Sequence, residues 1–253
     1  MNRTTHLLAA SPLTPRRRLT QLVGAALLGA AALAAAPAAQ AAMIDFEHLG
    51  TGTVGHNEYF QQAGFYIAGY SNDPDAIDGD LVGAVIDGTD PGSCAVLQCP
   101  SHDNSYYAAV NDGVLDLTRV QQNQTFSVQS FDASFLGSSP GASYPGVSGL
   151  LRVQGFRANG SSAYEDFALD GPGANGFEFG HYTASAGFGS QQFVEVAFFG
   201  FSCDSGGDCI AFQSDKGQFA IDNISAMPVP EPTTWMMMGA GLLALAARRR
   251  RQA

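Results

Sequence analysis

Between residues 42 and 228 the sequence has little positive charge and no tryptophan. Its cations there are Arg119, Arg152, Arg157 and Lys216, against 22 acidic residues, a net charge of −18. The whole chain stands at only −11 because eight of its 12 basic residues lie in the terminal segments. An acidic surface of this strength repels phosphate backbones, which excludes nucleic acid as a partner, and it favours solubility and attracts divalent cations. The lack of tryptophan removes the usual platform for stacking a sugar; the chain's single one is Trp235, close to the C-terminus. No amphipathic helical period and no internal repeat runs through the body, which argues against helical bundles and solenoids. Cysteines number four, and no histidine pair accompanies them at ligand spacing, which argues against zinc.

What is present reads as strand and turn. Runs rich in Phe, Val, Ile and Tyr alternate with clusters of Gly, Ser, Asn and Asp. The pattern predicts strands at 43–47, 64–70, 106–110, 114–117, 124–135, 150–157, 164–169, 177–182, 192–201 and 218–226. A further short strand is expected at 81–86, inside a long decorated loop over 71–105. Asn159-Gly160 predicts a hairpin, and Asn111-Asp112-Gly113 a turn whose glycine suits positive φ. In 192–201, Val194, Val196 and Phe198 should face one way and Phe193, Glu195 and Ala197 the other. In the last strand Phe219 and Ile221 should point inward, with Gln218 and Asp222 outward. About ten short strands with turns at this spacing predict an all-β chain, a β-sandwich of jelly-roll type.

Both ends read as addresses. Arg16–Arg18, the apolar run 22–36 and Ala39-Gln40-Ala41 form a signal peptide over 1–41. Signal peptidase would cut between Ala41 and Ala42. Leu19-Thr20-Gln21 fits a twin-arginine signal poorly. At the other end, 229–253 begins with Val229-Pro230-Glu231-Pro232, which is stiff, extended and unable to pair. The uncharged run 233–247 follows; as a helix it reaches only ~22 Å, whereas a lasting span takes ~20 apolar residues. It is a short transmembrane helix that inserts transiently, with Trp235 at an interface and Arg248–Arg251 on the cytoplasmic side. Residues 42–228 between them are one domain, able to bury ~70% of its unfolded surface.

The order of Pro230-Glu231-Pro232, apolar run and arginine cluster resembles the PEP-CTERM sorting signal of Gram-negative bacteria. The resemblance implies recognition by a membrane transpeptidase of the exosortase type, removal of the tail near the motif, and release or attachment outside the cell. It also implies a setting of exopolysaccharide and biofilm. An uncleaved anchor would give the same topology but leave the protein in the inner membrane. Gln218-Phe219-Ala220-Ile221-Asp222 resembles the Gln-Phe-x-x-Asp subfamily of such proteins, which adds no chemistry. The Phe46-Glu47 start and the Ile221-Asp222-Asn223-Ile224 finish resemble galactose-binding-like jelly rolls.

Outside the inner membrane disulfides persist, and four cysteines allow three connectivities. The local pairs Cys94–Cys99 and Cys203–Cys209 are expected, each pinning a small loop. Cys203-Asp204-Ser205-Gly206-Gly207 echoes the nucleophile segment of chymotrypsin-like proteases. None of His48, His56, His102 or His181 sits in the matching Ala-His-Cys setting, so no catalytic residue is assigned. Paired carboxylates suit a glycosidase, but among 22 acids some pair falls close by chance.

Calcium takes six to eight hard oxygens, which acidic loops supply. Two sites are expected. One joins Asp45 or Glu47 on the first strand to Asp222 on the last, as the jelly-roll resemblance implies. The other is the loop holding Asp73, Asp75, Asp78 and Asp80, which lacks the spacing of an EF-hand. A glycan platform is expected at Tyr106 and Tyr107, beside His102-Asp103-Asn104, with Tyr144 and Tyr164 as further candidates. The functional expectation is an exported, non-enzymatic surface or extracellular-matrix protein. A carbohydrate-binding module, with polysaccharide as partner, is the alternative, and a secreted hydrolase the second alternative.

Overall fold

The computed structural model describes residues 41–94, 96–122, 124–213 and 216–228, with Gly239, Gly241, Leu242, Leu245, Ala246 and Arg248–Arg250 in the tail. The body is one compact unit, Ala39–Pro230. The expected signal peptide through residue 40, Pro230-Glu231-Pro232 and Trp235 lie outside the described residues. Among the described residues, no helix is long and apolar enough to cross a membrane.

The body is strand-built. In chain order it contains β1 (Ala42–Ile44), β2 (Gly52–Gly55), β3 (Tyr59–Gln62), β4 (Phe65–Tyr70), β5 (Leu81–Asp87), β6 (Ser105–Ala109) and β7 (Val114–Arg119). There follow β8 (Phe126–Phe135), β9 (Val147–Phe156), β10 (Ser162–Asp170), β11 (Gly180–Thr183), β12 (Glu195–Cys203), β13 (Cys209–Ile210) and β14 (Phe219–Pro228). A single α-turn, Ala186–Gly189, precedes β12. The strands β2, β3 and β13 carry too few apolar residues, or too much glycine, to announce themselves in sequence.

All these pairings are antiparallel and build two sheets. The first runs β11-β8-β14-β6-β5-β2, with β1 also against β14. The second runs β10-β9-β12-β7-β4-β3, with β13 also against β12. The first and last strands therefore pair, Ala42 opposite Ala226 and Ile44 opposite Ile224. Strand alternation lays one face of each sheet on a shared core. Phe65, Ile67, Leu115, Leu117, Leu151, Val153, Val196 and Phe198 come from the second sheet; Phe126, Val128, Phe131, Ala133, Phe219 and Ile221 come from the first. Among the described residues, every member of this core lies between 44 and 226, so the body has what it needs to fold as a unit.

Three local expectations are corrected. In the Val110–Gly113 turn, positive φ falls on Asn111 (55°) and Asp112 (52°), as a type I′ turn requires, and not on the glycine. Gly113 is needed for space, since a Cβ there would stand 2.1 Å from the Val82 carbonyl oxygen. Phe193 is fully buried and half-exposed Val194 is not, because the ladder of β12 starts only at Glu195. Gln218 and Asp222 do lie on the face away from the main core, yet they are 4% and 0% exposed. A second apolar cluster covers that face: Ile86, Tyr106, Ala108, Leu136 and Ala220, packed by Cys94, Cys99 and Phe179. The Asn159-Gly160 hairpin forms as expected between β9 and β10, with Gly160 at φ 82°.

Candidate functional site

The outer face of the second sheet carries the chemistry. Tyr66, Ala68 and Tyr70 project there from β4, and Asp116 and Thr118 from β7. Strand β12 adds Glu195, Ala197 and Phe199; β9 adds Arg152 and Gln154; β10 adds Tyr164 and Asp166. The register puts Tyr59, Ala68, Asp116, Ala197, Gln154 and Tyr164 in one row across six strands. Tyr59 and Tyr164, at opposite ends, are 65% and 59% exposed.

Asp116 sits at the middle of this row between two alanines, so it lies in a dip. It is 8% exposed, and its Oδ1 has no hydrogen-bond partner. Burial, and after it the neighbouring Glu195 carboxylate, pushes its pKa up to about 8, against a smaller opposing pull from the Leu117 N–H. At neutral pH Asp116 is therefore largely a neutral acid that can donate as well as accept. The Tyr70 phenol is raised as well, first by burial and then by Asp116 and Glu195. Arg152 donates from Nε and Nη2 to the two Asp166 oxygens at 2.6 and 2.7 Å, and its guanidinium lies 4.0 Å from the centre of the Tyr164 ring. Tyr59 meets Tyr66 edge-on at 5.5 Å.

The glycan platform expected at Tyr106 and Tyr107 is overturned. The rings are 1% and 0% exposed, one in each apolar cluster, because β6 is an interior strand of a sheet covered on both faces. Tyr144 is half-buried, with its hydroxyl accepting from the Ser138 N–H at 2.6 Å.

The acidic candidates are partly brought together. Asp45 lies near enough to Asp222 to raise its pKa, but Asp45 Oδ1 accepts from Gln62 at 2.6 Å. Glu47 Oε1 accepts from the Ser105 N–H at 2.9 Å. Oδ1 of Asn104 and both oxygens of Asp222 are buried without a well-formed hydrogen bond, the Asn223 N–H and the Asn104 amide approaching the carboxyl without meeting it squarely. These are hard donors of the calcium-binding type. Among the described residues, however, no three His, Cys, Asp or Glu side chains are grouped to hold a metal ion.

In the acidic loop, Asp73 Oδ1 accepts from the Asp75 N–H, Asp80 Oδ2 from the Ile77 N–H, and Asp78 Oδ1 from the Asn57 amide. Asp73 and Asp80 thus serve local turns, and Asp78 ties the loop to Asn57. Asp73 and Asp80 also line a cleft of about 710 Å³ with Ser71, Asn111 and Phe212.

The cysteines pair locally, Cys94 with Cys99 and Cys203 with Cys209. Ser205 lies in the turn closed by the second bridge, where Asp204 Oδ1 accepts from the Gly206 and Asp208 N–H groups.

Sequence reasoning missed Asp116, Glu195 and Tyr59 as a group. Alternation in 65–70 and 195–201 could have placed Tyr66, Tyr70 and Phe199 outward. Only the cross-strand register shows that they share a face.

No curated protein matches this chain. Among solved structures, a match falls on the enzymatically active domain of tailspike protein 4 of bacteriophage CBA120, at 11% identity and a TM-score of 0.25. The match covers 66% of this chain and 19% of that one. The C-terminal segment gives a family match. It implies an exported protein processed by an exosortase, with that enzyme as its processing partner. Residues 228–251, beginning where β14 ends, are a PEP-CTERM protein-sorting motif.

Proposed function

We propose that this protein is a non-enzymatic component of the surface layer or extracellular matrix of a Gram-negative bacterium, delivered as the acidic sandwich 42–228. The observation that carries this is the junction at Pro228: the last strand ends where the sorting motif begins. Cutting the tail therefore costs the fold no strand. The net charge of −18 on the body suits a soluble part of a hydrated, exopolysaccharide-rich matrix.

The test is fractionation of the native host and of a strain lacking its exosortase. Intact masses would be read from medium and envelope. A body starting at Ala42 and ending near Pro230 in the wild type, with tailed protein held in the inner membrane of the deletion strain, is the expected result. Tailed protein in both strains would defeat the reading.

A structural role for calcium is part of this proposal. The orphaned oxygens of Asp222 and Asn104 lie beside the junction of first and last strands, where a hard cation would repair a buried polar deficit.

A further inference from the structure

We propose that the outer face of the second sheet binds a neutral polysaccharide strand laid across it, centred on Asp116 and Glu195 and flanked by Tyr59 and Tyr164. This rests on the extracellular reading only for the supply of such a polymer.

The shape comes first. At ~4.8 Å between neighbouring strands, the row from Tyr59 on β3 to Tyr164 on β10 spans five gaps, or ~24 Å. That length suits an extended chain. Both end rings are more than half exposed, and the ring face of a tyrosine, at Tyr164 the face opposite Arg152, takes the C–H side of a pyranose. Between them Gln154, Glu195 and Thr118 can reach hydroxyls.

The second observation is Asp116. A buried carboxyl oxygen without a partner is costly to the fold. Most such groups find one, and nothing on the neighbouring Ala68 and Ala197 side chains can supply it. A sugar hydroxyl both donates and accepts, which matches a carboxyl group held largely protonated.

Charge then selects the class. Arg152, on β9 in the row beside this one, is committed to Asp166 and to the Tyr164 ring. Glu195 is left facing the ligand, with a strongly acidic body behind it. Uronate or sulfated polymers are repelled, and so is a second copy of this face, which would set Glu195 against Glu195.

The experiment is native affinity electrophoresis of the body 42–228, whose core is complete in itself. Gels would be cast with hydroxyethyl-cellulose, galactomannan, dextran or the host's own neutral exopolysaccharide, with alginate as the anionic control. The expected result is retardation by at least one neutral polymer and none by alginate. Tyr59→Ala, Tyr164→Ala and Asp116→Ala should each weaken it about tenfold while melting curves stay within a few degrees of the parent. If Asp116→Ala melts early, Asp116→Val serves in its place.

No retardation in any neutral gel, retardation by alginate, or retardation of both tyrosine variants equal to that of the parent would each overturn the proposal. So would a dimer abolished by Tyr59→Ala. Export is judged by fractionation alone, so either proposal can fail while the other stands.

Discussion

His102 Nε2 lies 3.9 Å from Asp222 Oδ2, with the imidazole 13% exposed and the carboxyl fully buried. That is too far for a hydrogen bond, so the carboxyl is left without a full countercharge. Burial raises its pKa to about 7; the Asn223 N–H and the Asn104 amide pull it back, and Asp132 and Asp45 add repulsion. The folded chain thus holds this proton more tightly than the unfolded chain. Its contribution is complete in acid, below about pH 4, and is lost as pH rises through about 7.

Asp222→Asn should therefore flatten the fall in stability between pH 4 and 7, by up to about 1.4 kcal/mol per pH unit. Urea midpoints across that range measure it. An unchanged slope would remove Asp222 as its source. Asp116→Asn should act the same way, with the effect extending to about pH 8.

Calcium reverses the same logic. A bound cation would hold Asp222 ionised and add stability above neutral pH. EDTA should lower the melting temperature of the parent by several degrees and leave Asp222→Asn unmoved. Equal melts with and without EDTA, and no metal in elemental analysis, would dismiss the cation.

The core tyrosine offers a sharper packing test. The Tyr107 hydroxyl is buried with no partner, and a Cβ on Gly83 would stand 2.1 Å from it. Tyr107→Phe should raise stability by about 1 kcal/mol, since it deletes an unsatisfied polar group and little volume. Gly83→Ala should lower it by about 1–3 kcal/mol through overpacking. Chemical denaturation of both variants decides the matter, and a destabilised Tyr107→Phe would mean that the hydroxyl has a partner.

The two disulfides should differ in consequence. Each closes a short loop and gives about 2 kcal/mol by chain entropy alone. Removing Cys203–Cys209 with paired serines should cost about that much and stay local. Removing Cys94–Cys99 also loosens the cover over Tyr106 and Ala220, so amide exchange should rise along β6 and β14. Equal protection maps for the two variants would speak against that cover.

Much of this was legible along the chain. The alternation in 150–157 and 218–226 announced β9 and β14, because a strand with one buried face repeats every two residues whatever it pairs with. The cysteines five and six apart were close enough to pair locally. Pro230-Glu231-Pro232 with its arginine-ended run was readable because such a motif is recognised as linear sequence. Three-dimensional packing alone decided that Tyr106 is interior, that Asp222 on an outward face is nevertheless buried, and that Asp116, Glu195, Tyr59 and Tyr164 share one surface. The reason is physical: side-chain alternation says which face of its own strand a residue occupies, whereas exposure depends on what distant segments lay over that face and which strands stand beside it.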